Sequence, residues 1–164
     1  MLPLFIPMKL INQPEPFSDP SWLYEVKYDG FRCLAYIDDP CRPVSRNGNT
    51  YSRFKDLAKV LADVPHKVVL DGEDLRSRSC IERKQILRDV VESGPDRLLY
   101  VDHIEEHGTR LYEQICQLDI EGIVAKPKDS VYADSARRSA WIKIKNPDYS
   151  QEEGRGNIFQ QTNE

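Results

Sequence analysis

This sequence predicts an α+β fold built largely on antiparallel sheet, and three observations lead there. Strand-like runs with a two-residue period outnumber helical stretches. Three helix-periodic segments are interspersed among them, without the strict strand–helix alternation of a doubly wound fold. The first two strand runs flank a tight Asp29-Gly30 turn, which predicts a hairpin. The chain has 164 residues, 40% apolar and 30% charged. That is enough for one domain with a workable core, and it excludes wholesale disorder.

The elements follow in order. Residues 12–21 (NQPEPFSDPS) form a Pro-rich approach loop. Trp22, Tyr24 and Val26 then alternate with Leu23, Glu25 and Lys27, a strand that the turn joins to a second run over 31–37. Pro40 and Pro43 break the pattern before a short strand at 44–46 and a turn at Asn47-Gly48. Ser52 can cap a helix over 53–62, and 67–70 reads as a strand. Ser79-Cys80-Ile81-Glu82 has the form of a capping box, opening a helix to about Glu92 that Gly94-Pro95 ends. Residues 97–101 are strand-like. Thr109 caps a helix to about Leu118, with Leu111, Ile115 and Leu118 inward. Strands at 123–126 and 141–145 complete the core, and 150–164 reads as a polar, disordered tail.

Charge and cysteine usage narrow the function classes. The net charge of -4 excludes a chain that is basic throughout. Residues 27–59 carry +3 and residues 121–149 carry +2, while 60–120 carry -5. Two basic stretches around an acidic middle leave room for an anionic ligand where they converge, although charge alone favours scatter over a solvated surface. Cys33, Cys41, Cys80 and Cys116 lack the close spacing of zinc or redox motifs and are expected to be reduced. The apolar start is interrupted by Pro3 and Pro7 and has no basic leader, so neither a signal peptide nor a membrane span is expected. A cytoplasmic protein follows.

Two constellations can carry chemistry. In the first, alternation places Glu25 and Lys27 on the strand face opposite Trp22, Tyr24 and Val26. If the aromatic face is core, Lys27 points into a cleft, and the Asp29-Gly30 turn can fold Arg32 back towards it. An amine beside other cations is pushed towards its neutral, nucleophilic form. The plain alternative is a surface hairpin with ordinary charges. In the second, Trp141-Ile142-Lys143-Ile144-Lys145, the isoleucines share one face and the lysines the other. Two ammonium groups roughly 7 Å apart suit a polyphosphate or an anionic backbone. The plain alternative there is an edge strand protected by lysines. A third segment, His103-Ile104-Glu105-Glu106-His107, has the spacing of a zinc peptidase motif. That chemistry needs both histidines on one helix and a further ligand. Gly108 stops the segment, so a loop is predicted instead.

Taken in order, KYDGFR, SRNG, LDGE, EGIVAK and WIKIK resemble motifs I, Ia, III, IV and V of the covalent nucleotidyltransferases. They are most similar to those of ATP-dependent DNA ligases of the bacterial end-joining type. The resemblance runs from Trp22 to Tyr149. It implies an approach segment over 1–21, a nucleotidyltransferase (ATP-grasp-like) adenylation domain over 22–149, and the tail. It implies that Lys27 attacks the α-phosphate of ATP and carries AMP as a phosphoramidate, with Lys143 and Lys145 neutralising the phosphate. Arg32 and Glu73 would hold the ribose, Glu25 and Lys126 would belong to the nucleotide site, Arg46 would meet the DNA 5′-phosphate, and Glu121 would help hold Mg2+ or another divalent cation. The implied partner is nicked or broken double-stranded DNA in repair and recombination.

The sequence also departs from the family. The aromatic-Asp motif IIIa, whose ring stacks on adenine, has no counterpart. Only 48 positions separate Glu73 from Glu121. An internal segment is therefore expected to be missing near Asp71–Asp74, and Glu73 is either the motif III glutamate or its downstream look-alike. No OB-fold domain follows motif V in this sequence, so unaided nick sealing is expected to be impaired, and a separate OB-fold domain or end-joining partner is implied. Two other readings stay open: an inactive DNA- or partner-binding remnant, and another covalent nucleotidyltransferase of the RNA ligase or capping type.

Overall fold

A computed structural model describes residues 8–28, 33–36, 41–45, 49–50, 56, 58–59, 75–96, 99–132 and 139–151. Seven strands, one short 3-10 turn and two helices are assigned among them: β1 (Ile11–Asn12), β2 (Trp22–Lys27), β3 (Cys33–Tyr36), β4 (Arg42–Ser45), the 3-10 turn Leu75–Ser77, α1 (Cys80–Glu92), β5 (Ile104–Glu105), α2 (Gly108–Gln117), β6 (Gly122–Pro127) and β7 (Ile142–Lys145). Five strands form one sheet in the order β1-β7-β6-β2-β5, and β3 and β4 form a second. All pairings are antiparallel except that of β1 with β7, so the predicted α+β class and sheet type hold.

Each half of the β2–β6–β7 register has one apolar face. Val26 lies opposite Ile123, Tyr24 opposite Ala125, and Ile123 opposite Ile144. Tyr24, Ile123, Ala125 and Ile144 are fully buried under Leu111 and Ile115 of α2. Phe17 meets Trp22 and Tyr24 edge-on at 5.0 and 5.5 Å, which closes the core against the approach segment. The predicted inward face of β2 is therefore the observed one.

Helix α1 begins as its capping box dictates. Glu82 N–H donates to Ser79 Oγ at 3.3 Å, and Ser79 N–H donates to Glu82 Oε2 at 2.9 Å. Helix α2 differs from expectation. His107, not Thr109, is its N-cap, and it makes no side-chain cap bond. The Thr109 N–H instead donates to Ser18 Oγ at 3.1 Å, so a distant loop supplies the acceptor. The helix starts at Gly108, where a Cβ would overlap the Tyr24 ring and the Phe17 carbonyl. It ends at Gln117, which leaves Leu118 in the terminal turn and exposed rather than inward.

Four further expectations are corrected. β2 does not form a hairpin with the next strand among the described residues: β6 and β5 pair with β2, and β3 pairs with β4. Pro43 lies within β4 rather than breaking it, as a strand of a two-stranded sheet allows. Residues 99–101 are not strand. The neighbouring Ile104–Glu105 takes the place beside Leu23 and Tyr24. Asn12, expected in the approach loop, lies instead in a strand with Ile11 that pairs with Ile142 and Lys143, so β7 is not an edge. Of the helix predicted over 53–62, Asp56, Ala58 and Lys59 are helical. The strand predicted over 67–70 lies outside the described residues. Cys80 and Cys116 are in no disulfide.

The Gly108 contact makes a quantitative prediction. Gly108→Ala forces a methyl group into the Tyr24 ring and should cost about 1–3 kcal/mol, as overpacking does. A urea midpoint lowered in proportion supports this close approach, and an unchanged midpoint contradicts it.

Candidate active site

The face of the sheet opposite α2 gathers the charged residues. Strand alternation puts Leu23, Glu25 and Lys27 of β2 on it. The register sets Lys27 opposite Gly122, Glu25 opposite Val124 and Leu23 opposite Lys126. The same register sets Val124 opposite Lys143 and Gly122 opposite Lys145. Three adjacent strands thus present Lys27, Lys126, Lys143 and Lys145 on one surface. Gly122 makes the close pairing possible. Its φ is +154°, and a Cβ there would run into the Ile144 carbonyl and lie 2.9 Å from Lys145 Cα.

Two carboxylates sort these cations. Lys27 Nζ pairs with Glu121 Oε1, just before β6, and both side chains are mostly buried. Glu25 is held from two sides: Lys84 Nζ reaches Oε1 at 2.7 Å, and Lys126 Nζ contacts Oε2. Burial alone would raise the Glu25 pKa. The ammonium groups of Lys126 and Lys84 outweigh it and hold the carboxyl below its ordinary range. Burial likewise works against the Lys84 cation, but the bond to Glu25 wins and raises its pKa. Lys126 Nζ also sits 4.4 Å from the centre of the Trp141 ring, whose Nε1–H donates to Ser130 Oγ at 3.1 Å.

Lys84 escaped the sequence reading. It lies on α1, its ammonium donates also to the Val101 carbonyl at 3.2 Å, and it sits 4.7 Å from the centre of the Tyr100 ring. The only available signal was a lysine one turn after the capping-box serine, and that gives no hint of burial. A cavity of about 390 Å³ separates α1 from the sheet here, lined by Glu25, Lys84, Leu87, Val91, Lys126 and Trp141 among others.

Of the residues expected in the site, the structure brings together Glu25, Lys27, Glu121, Lys126, Lys143 and Lys145. Arg32, Arg46 and Glu73 lie outside the described residues. The zinc-like segment is not on a helix: Ile104–Glu105 is strand, and His107 precedes α2. Its predicted loop is thus partly replaced by β5. Burial lowers the His103 pKa, reinforced by the nearby Lys84 cation. No group of three or more potential metal ligands occurs among the described residues. No described helix is long and apolar enough to cross a membrane.

Residues 68–145 match the family model for the ATP dependent DNA ligase domain. The chain is 25% identical over 188 positions to the SPbeta prophage-derived DNA ligase-like protein LigB of Bacillus subtilis, covering 88% of this chain and 68% of that protein. It is 30% identical to the multifunctional non-homologous end joining protein LigD of Mycolicibacterium smegmatis, over 76% of this chain and 21% of that one. The chain thus spans about a fifth of that LigD. The LigB alignment spans more positions than this chain has residues, so it includes positions with no residue here. In fold, the chain superimposes on the ligase domain of M. tuberculosis LigD with a TM-score of 0.67 at 22% identity, covering 86% of this chain and 59% of that domain. It superimposes on a mycobacterial DNA ligase D complexed with ATP and MES with a TM-score of 0.71, also at 22% identity, covering 86% and 60%.

The Glu25 pair predicts a pH dependence. A depressed carboxyl pKa contributes stability that is fully present above the ordinary glutamate value of 4.5 and is lost as pH falls through the lower folded value. Glu25→Gln leaves two part-buried ammonium groups without their anion and should cost about 3–5 kcal/mol at neutral pH. Urea titrations from pH 7 to 3 should show the difference between wild type and variant shrinking below pH 4.5. A constant difference across that range contradicts the assignment.

Proposed function

We propose that the chain is an adenylation domain of the ATP-dependent DNA ligase type found in bacterial end joining, which takes AMP from ATP onto Lys27 and passes it to a DNA 5′-phosphate. The observation that carries the reading is the gathering of Lys27, Lys126, Lys143 and Lys145 on one face of β2, β6 and β7. Phosphoryl-type transfer asks the protein mainly for positioning and for positive charge where negative charge develops.

Lys27 Nζ gives up a proton to water and attacks the α-phosphorus with the lone pair so freed. A P–N bond forms, the P–O bond to pyrophosphate breaks, and the electron pair leaves with pyrophosphate. Lys143 and Lys145, two residues apart on β7, neutralise the phosphate oxygens. Protonation of the P–N nitrogen then makes Lys27 the leaving group when a DNA 5′-phosphate oxygen attacks. Glu25 and Lys126 bound the nucleotide site at the Trp141 end. Arg32 and Glu73 as ribose contacts, and Arg46 as the DNA 5′-phosphate contact, rest on motif resemblance.

Mg2+ needs few protein ligands, commonly one or two carboxylates completed by substrate phosphates. Glu121, a mostly buried carboxylate beside Lys27, fits that demand and would hold the ion. When bound, the ion supplies charge stabilisation at the phosphate. The proposed setting is the cytoplasm, and the proposed partner is nicked or broken double-stranded DNA. Sealing by this chain alone should be slow. In-line positioning of two DNA ends accounts for about 7–11 kcal/mol of such barriers, and a net charge of -4 leaves few phosphate contacts to provide it. A separate OB-fold domain or end-joining partner would supply those contacts.

The test is incubation with α-labelled ATP and Mg2+, followed by mass mapping of the adduct. One AMP should appear on Lys27, labile to acid and stable to base, and it should vanish in Lys27→Ala. Lys143→Ala should slow labelling about tenfold or more, which corresponds to about 1.4 kcal/mol of transition-state stabilisation. An adduct elsewhere, or one that survives Lys27→Ala, overturns the mechanism. A chain that binds nicked DNA but never labels is a binding remnant instead.

A further inference from the structure

We propose that Lys84 is a positioning residue for Lys27: by occupying Glu25 it keeps a competing carboxylate from capturing the nucleophile. This rests on the adenylation reading and deepens it.

Glu25 and Lys27 share a face of β2 two residues apart, roughly 7 Å along the strand. A lysine side chain is long enough to span that distance. Lys27 therefore has two carboxylates within reach, Glu25 on its own strand and Glu121 at the start of β6. The choice decides where its amine lies. Paired with Glu121, as observed, Nζ is held at the Gly122–Lys145 row of the sheet. Paired with Glu25, it would be drawn two residues back along β2, to the Val124–Lys143 row and away from Glu121.

The observed pairing works against the second arrangement, because both oxygens of Glu25 already hold an ammonium group. Lys84 takes Oε1 of Glu25 and Lys126 takes Oε2. Lys126 is fixed further by the Trp141 ring, and it belongs to the same sheet face whatever α1 does. Lys84 is the ammonium brought from outside the sheet. A part-buried anion that loses a donor keeps a strong demand for another, because water cannot reach it freely. With Lys84 removed, Lys27 is placed to meet that demand.

The way α1 is attached fits a helix that delivers a charge. Its buried residues are Cys80 and Lys84. Leu87 is half exposed, and Leu87 and Val91 line the cavity between helix and sheet rather than filling it. Its other tethers are polar. Ile81 N–H donates to the Lys128 carbonyl at 3.1 Å, and the Arg83 guanidinium donates to the carbonyls of Arg78 and Ser130 at 3.2 and 3.3 Å. The Lys84 stem is buried to bring one ammonium group to one carboxylate.

The experiment measures single-turnover transfer of AMP to Lys27 as a function of ATP concentration. It compares wild type, Lys84→Met, Lys84→Arg, Glu25→Gln and the Glu25→Gln/Lys84→Met pair, with the folded fraction of each fixed by circular dichroism. Lys84→Met should lower the saturating rate roughly tenfold with the half-saturating ATP concentration little changed. Lys84→Arg, which keeps a cation for Glu25, should recover most of that rate. In the Glu25→Gln background the competitor is gone, so adding Lys84→Met should change the rate less than about twofold. If Lys84→Met does not fold, Lys84→Gln, which keeps a neutral donor for Glu25, serves in the same comparison. An equal loss in both backgrounds, or a change confined to ATP affinity, overturns the positioning role while leaving adenylation intact. A wild type that takes up no AMP overturns the adenylation reading and this inference with it.

Discussion

Glu25 is the carboxylate on which the arrangement of the charged face depends. Its two oxygens accept from two lysines that come from different parts of the chain, one on the neighbouring strand and one on a helix. A pair of this kind adds little net stability compared with apolar packing, because both charges must leave water. What it does add is discrimination. It biases which cation stands where on a face that carries lysines of β2, β6 and β7 and receives one from α1. The side chain two positions along the strand, Lys27, is thereby left to Glu121.

The sheet that carries this face is stabilised from its other side. Tyr24, Ile123, Ala125 and Ile144 form an apolar layer under α2, and the same alternation that turns them inward turns Lys27, Val124, Lys143 and Lys145 outward. Core packing and site geometry are thus two consequences of one register. A one-residue slip of β7 against β6 would bury its lysines and expose its isoleucines, at a cost the core could not tolerate. Gly122 pins that register, since its backbone conformation and its contact with β7 exclude a side chain.

The parts of this arrangement that were legible in the sequence are those written in local pattern. Period-two alternation placed Glu25 and Lys27 on one face and Ile142 and Ile144 on the other side from Lys143 and Lys145. The capping box placed the start of α1 at Cys80. What was not legible depends on distant partners. The Asp29-Gly30 turn suggested that β2 pairs with the strand after it, but the hydrogen-bonding edges of β2 face β6 and β5, some 80 to 100 residues away in sequence. Thr109 looked like a cap because the Ser18 hydroxyl that serves the helix start lies 91 residues upstream. Lys84 looked like an ordinary charge on a helix, because its carboxylate partner is 59 residues away. The motifs were legible as words in a fixed order, and the β2–β6–β7 register places five of their charged residues, Lys27, Glu121, Lys126, Lys143 and Lys145, on or beside one sheet face.

Covalent, reversible loading of Lys27 is the step on which the proposed adenylation turns, and isotope exchange between pyrophosphate and ATP reads it without any DNA. The exchange should require Mg2+, disappear in Lys27→Ala, and proceed with no nucleic acid present. Absence of exchange in the wild-type chain, or exchange that persists in Lys27→Ala, would contradict the account.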